Sequence, residues 1–102
     1  MTERTLKNAP LVEGFIREHP EIVSFIEAAK PYLNKYFGQP LDLVLEVIHY
    51  PEPGANDELV AWIQSSYEIE EGLDRLEQFE DEWYLDNMGE VGRYFNINIE
   101  TP

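Results

Sequence analysis

Leu41-Asp-Leu-Val-Leu-Glu-Val-Ile-His-Tyr50 decides the fold. Leu41, Leu43, Leu45, Val47 and His49 alternate with Asp42, Val44, Glu46, Ile48 and Tyr50. Side chains on a strand point to opposite faces in turn, so this stretch reads as a strand with one apolar and one mixed face. Pro51 to Asp57 is rich in turn formers. Glu58 to Ser65 then returns as a second strand. Leu59, Ala61 and Ile63 lie on one face, and Val60, Trp62 and Gln64 on the other. Together the two runs predict a hairpin.

Upstream, the pattern is helical. Leu11, Val12, Phe15 and Ile16 fall on one helical face, starting near Asn8 with Pro10 in the first turn. His19-Pro20 ends that helix, because the residue before a proline is pushed out of the α region. A second stripe, Ile22, Phe25, Ile26, Ala29, Leu33, Tyr36 and Phe37, runs to Gly38 and stays in phase across Pro31. A kink near Ala29–Lys30, or two abutting helices, is expected there rather than a change of element. Gly38 suits a helix exit and Pro40 blocks continuation.

Downstream, Ser65-Ser66-Tyr67-Glu68 has the spacing of a capping box. A third helix follows, with Ile69, Leu73, Leu76, Phe79 or Glu80, and Trp83 as its core stripe. Asn87-Met-Gly89 ends it, and Tyr94 to Glu100 forms a last strand with Phe95, Ile97 and Ile99 inward.

The order α-α-β-β-α-β predicts an α+β fold. The third helix crosses over, so the last strand should run parallel to the second. Its expected place is beside Leu41–Tyr50, in a three-stranded antiparallel sheet of order 2-1-3 with helices on one face. One domain is expected over residues 1–102, with a helical part at 1–38 and a β-β-α-β unit at 41–100.

The chain of 102 residues carries 21 acidic and 7 basic residues, a net charge of −14. Residues 1–36 hold five of each sign, so the whole imbalance belongs to residues 37–102. Ten acidic residues lie between Glu68 and Glu90, where Arg75 is the only base. Such a balance disfavours direct binding to nucleic acid. With no cysteine, disulfides, thiolate catalysis and iron–sulfur clusters are excluded. The polar N-terminus lacks the apolar core of a signal peptide, and no apolar run is long enough for a bilayer. A cytoplasmic location without membrane association is the expectation.

Glu70, Asp74, Glu77 and Asp81 recur at i, i+4, i+7 and i+11 and form one acidic ridge. Either water solvates it or a basic protein partner docks there. Lys30, Lys35 or Arg17 from the neutral segment could also offset it internally. Val44, Ile48, Tyr50 and Trp62 share the sheet face away from the helices, a candidate surface for a homo-oligomer. His19 and His49 have no metal-ligand spacing, and no EF-hand, phosphate loop or nucleophile elbow is present. No catalytic residue, metal or cofactor is assigned. Small-enzyme chemistry would have to use His49 with Glu46 or a carboxylate of the third helix. A ligand-binding module would place its pocket between the second helix and the sheet.

Glu71 to Asn87, above all Phe79-Glu-Asp-Glu-Trp-Tyr-Leu-Asp-Asn87, resembles a block near the C-terminus of small uncharacterised bacterial proteins. In those, an acidic helix runs into an acidic-Trp-aromatic-Leu segment and a final strand. The resemblance implies a bacterial, cytoplasmic protein and brings no activity with it. The functional expectation is a non-enzymatic, acidic interaction module that is dimeric and engages a basic protein.

Overall fold

The computed structural model describes residues 2–38 and 41–100, with side chains from residue 6 onward. Its elements are β1 (Thr2–Leu6), α1 (Ala9–Glu18), α2 (Glu21–Phe37), β2 (Leu41–Ile48), β3 (Glu58–Gln64), α3 (Ile69–Phe79) and β4 (Phe95–Glu100). A π-helical turn, Glu80–Tyr84, and a last turn, Leu85–Asn87, extend α3. A 3₁₀ turn, Gly89–Arg93, leads into β4.

The fold is α+β, as expected, but the sheet is mixed. Its order is β1-β2-β3-β4, with β1 parallel to β2, β2 antiparallel to β3, and β3 parallel to β4. The expected order 2-1-3 and the all-antiparallel pairing are therefore both corrected. Two causes combine. A strand–helix–strand crossover lays its second strand parallel in the same sheet, and here β4 pairs directly with β3. The other edge of β2, where the last strand was expected, is taken by β1. The sequence Thr2-Glu-Arg-Thr-Leu6 is short and polar and gave no strand signal. The first 38 residues thus supply a strand as well as helices.

Register explains the layering. Leu43, Leu45 and Val47 stand opposite Ile63, Ala61 and Leu59, which in turn face Ile99, Ile97 and Phe95. These rows make one apolar face, and α1, α2 and α3 cover it. Val12, Ile22, Phe25, Ile26, Ala29 and Leu33 come from the first two helices, and Leu76, Phe79, Trp83 and Tyr84 from α3 and its extension. Burial of each large side chain is worth ~1.5–3 kcal/mol.

Two local expectations need correction. Ile69 and Leu73 are about half exposed. The face of α3 turned to the core begins instead at Gly72, where an added Cβ would lie 2.9 Å from Ile99 Cδ1. The helix therefore sits too close to β4 there for a larger residue to fit without movement. The capping box does not form. Glu68 is the N-cap without a side-chain bond, and Ser65 Oγ accepts from the Tyr67 N–H at 3.2 Å in a local turn instead. The second helix is one continuous segment through Pro31. Its exit at Gly38 has φ 78°, the region a glycine enters without strain. Pro40 lies outside the described residues.

Side chains satisfy part of the outer edge of β4. Leu59 N–H bonds to Tyr94 C=O, and Ser65 N–H to Glu100 C=O. Even-numbered positions of β4 therefore face β3, and the Ile97 and Ile99 N–H groups point outward. Asn96 Oδ1 accepts from Ile97 N–H at 2.9 Å and Asn98 Oδ1 from Ile99 N–H at 2.8 Å. The Tyr84 hydroxyl donates to Phe95 C=O at 3.2 Å.

Burial pushes Tyr84 up to about 12, with Glu80 and Glu58 adding to the effect. Burial also raises Tyr94 to about 12, helped by its hydrogen bond to Glu21. A raised phenol pKa means the folded state holds its proton more tightly than the unfolded chain. Stability is then full below the unfolded value of 10.0 and falls as pH rises toward 12. Alkaline titration followed by circular dichroism should show loss of structure within that window. Tyr84→Phe and Tyr94→Phe should each narrow the loss and remove one late step in phenolate absorbance.

Candidate functional site

Three surfaces emerge: the outer face of α3, the uncovered face of the sheet, and a cleft at one end of the sheet.

Glu70, Asp74, Glu77 and Asp81 are all exposed. Among the described residues no salt bridge reaches any of them. Asp74 accepts a hydrogen bond from Gln78 at 2.9 Å. Two of the cations that could have offset the ridge, Lys30 and Lys35, are engaged elsewhere, as is Arg75, and Arg17 makes no ion pair with it among the described residues. Lys35 pairs with Glu82 at 2.7 Å and Lys30 with Glu27 at 2.9 Å. Arg75 pairs with Glu71 at 3.0 Å, donates to Tyr36 C=O at 2.7 Å, and lies over the Tyr67 ring. Lys35 holds the Glu82 carboxyl below its ordinary range, helped by the Tyr36 hydroxyl. At the far end of the ridge, Glu80 is raised, first by burial and then by Asp81 and Glu77. The local negative field is therefore felt by neighbouring groups.

On the sheet, Val44 stands opposite Trp62, Glu46 opposite Val60, and Ile48 opposite Glu58. This is the face away from the helices, as expected for Val44, Ile48 and Trp62. Tyr50 lies beyond the end of β2, is exposed, and donates to Glu58 at 2.9 Å. Trp62 Nε1–H donates to Glu46 at 3.0 Å across the strands. The face is less open than a flat sheet would be. Lys7 Nζ meets Glu100 Oε2 at 3.7 Å, although Lys7 follows one edge strand and Glu100 ends the other. Three strand spacings amount to about 14 Å, a gap that these two long side chains reach across from opposite edges. Val60, opposite Glu46 on this face, is only 4% exposed.

The third surface was not anticipated. A cleft of about 520 Å³ is lined by Phe15, Glu18, His19, Asn56, Asp57, Glu90, Arg93 and Tyr94. It is assembled from the end of α1, the β2–β3 loop and the turn before β4. The His19 and Tyr94 rings stack at 4.0 Å and 23°, and Phe15 lies 5.0 Å from His19. Glu21 braces this wall. It accepts the Tyr94 hydroxyl proton in a hydrogen bond and lies 3.6 Å from His19 Nδ1. The Tyr94 bond is the main cause that lowers the Glu21 pKa.

Comparisons with protein-family models, curated proteins and solved structures find no match. The site must therefore be read from its chemistry.

His49 does not pair with Glu46 or with a carboxylate of α3. Its Nδ1 lies 2.7 Å from Asp57 Oδ1, on the exposed loop beside the cleft. Glu46 is held by Trp62 instead. Among the described residues, no group of three or more metal-ligating side chains converges, and no helix is long and apolar enough to cross a membrane. The sequence places His19 at a helix boundary and Tyr94 at the start of the last strand. His19 does end α1, whereas Tyr94 lies one residue before β4 and caps the 3₁₀ turn; the two meet because α1 ends beside the start of β4.

Proposed function

We propose that the chain is a non-enzymatic, acidic interaction module whose outer α3 face docks a basic protein partner. The observation that carries this reading is the ridge Glu70-Asp74-Glu77-Asp81, exposed and without an ion-pair partner among the described residues, beside cations already committed to other carboxylates. Like-charge neighbours at helical spacing cost ~0.2–0.5 kcal/mol per pair. A partner that supplies cations would recover that cost. It would also be steered to the surface by the field of a strongly acidic chain.

Capture of partners from a cell lysate on the immobilised chain tests this. Retention is expected at about 0.01 M salt and release at about 1 M, where the screening length falls from ~30 Å to ~3 Å. If nothing is retained at low salt, the reading fails.

A second reading, homodimerisation through Val44, Ile48, Tyr50 and Trp62, is favoured by the absence of a helix on that face among the described residues. Two copies would bring Glu46 and Glu58 against their equivalents, so self-association should strengthen with salt. Sedimentation at both salt concentrations separates the two readings, because their salt dependences have opposite signs.

A further inference from the structure

We propose that the cleft between the end of α1, the β2–β3 loop and the start of β4 binds an organic cation, an ammonium or guanidinium group on an aliphatic stem. This goes beyond the ridge reading and does not depend on it. The cleft volume of about 520 Å³ lies in the range of small-ligand sites, ~300–1,000 Å³. Its wall and its rim ask for the same kind of guest.

The wall is aromatic. Phe15, His19 and Tyr94 form one contiguous set of rings; the phenyl and phenol faces attract cations, and all three rings offer carbon surface to an aliphatic stem. Glu21 accepts the Tyr94 hydroxyl and lies 3.6 Å from His19 Nδ1, and the His19 and Tyr94 rings stack on each other, so the wall is already assembled before a guest arrives. The raised Tyr94 pKa keeps its hydroxyl protonated and donating to Glu21 well above neutral pH.

The rim is anionic. Glu18, Asp57 and Glu90 line the cleft against a single fixed cation, Arg93. Among the described residues, no ion pair engages Glu18, Glu90 or Arg93. Asp57 is shared with His49. A net negative rim repels phosphate and carboxylate ligands. A dehydrated divalent cation would need convergent oxygens, and no such group exists among the described residues. An organic cation needs neither: the carboxylates take its charge and the rings take its carbon.

That chemistry has two sources, a free polyamine and the side chain of a basic protein. Titration of the chain with spermidine, with N-acetyl-arginine amide and with inorganic phosphate distinguishes them, read by the ring resonances of His19 and Tyr94. Saturable shifts are expected with a cation and none with phosphate. Tighter binding of the arginine amide assigns a protein side chain, and tighter binding of spermidine assigns a free polyamine. The double variant Glu18→Gln, Glu90→Gln changes two exposed side chains and should weaken binding about tenfold or more. Neutralising Glu70, Asp74, Glu77 and Asp81 should leave it unchanged. Shifts that follow phosphate, cation shifts that never saturate, or equal affinity in the Glu18/Glu90 variant would each overturn the proposal.

Discussion

Phe79→Ala should cost about 3–5 kcal/mol of folding stability, the range for deleting a large buried aromatic. Phe79 is fully buried. It closes α3 just before the helix widens into its π turn, and its ring lies 6.0 Å from those of both Trp83 and Tyr84. Trp83 in turn contacts Phe25 and Tyr32 on α2. The ring therefore lies at the junction of two of the three helices that cover the sheet, α2 and α3, and its removal leaves a cavity between them. A domain of this size has only ~5–15 kcal/mol to lose. Urea denaturation should show the midpoint moving to much lower concentration with little change in slope. A loss below about 1 kcal/mol would mean that the α2–α3 contact is not the centre of the core.

The second large effect concerns the ridge, and its value lies in two readouts moving in opposite directions. Glu70→Gln, Asp74→Asn, Glu77→Gln and Asp81→Asn together remove three successive like-charge pairs. Stability should rise by ~1 kcal/mol, measured by thermal unfolding. Retention of a basic partner at low salt should fall by tenfold or more, with a shallower dependence on salt. A surface kept only for hydration would show the first change without the second. That gain in stability at the expense of binding is the usual sign of a surface selected for contact.

What could be read from the sequence follows the range of the interactions. The alternation in Leu41–Ile48 and Glu58–Gln64 reports which face is buried, and the register of the hairpin agrees with it. The break at His19-Pro20 is local stereochemistry, and the two helices meet there. Sheet order is different. Alternation says which side of a strand is apolar but not which strand stands beside it. The apolar face of β2 fits a central position whether its second neighbour is β1 or β4. The stripe of α3 was misread at Ile69 and Leu73 because apolar residues there outranked Gly72. Only the close approach to Ile99 shows why a glycine faces the core. The cleft was invisible for a related reason. Its residues come from three connections far apart in the chain, and each has an adequate local role as helix end, loop or strand start.

Asn96 and Asn98 bear on how the chain behaves in a crowd. A four-stranded sheet with a bare outer edge can recruit another extended chain, then another, without limit. At β4 two of the outward N–H groups that such a recruit would need, those of Ile97 and Ile99, are already bonded to the amide oxygens one residue back. The last strand therefore offers an incoming chain fewer donors than a bare edge would, which disfavours strand-by-strand polymerisation there.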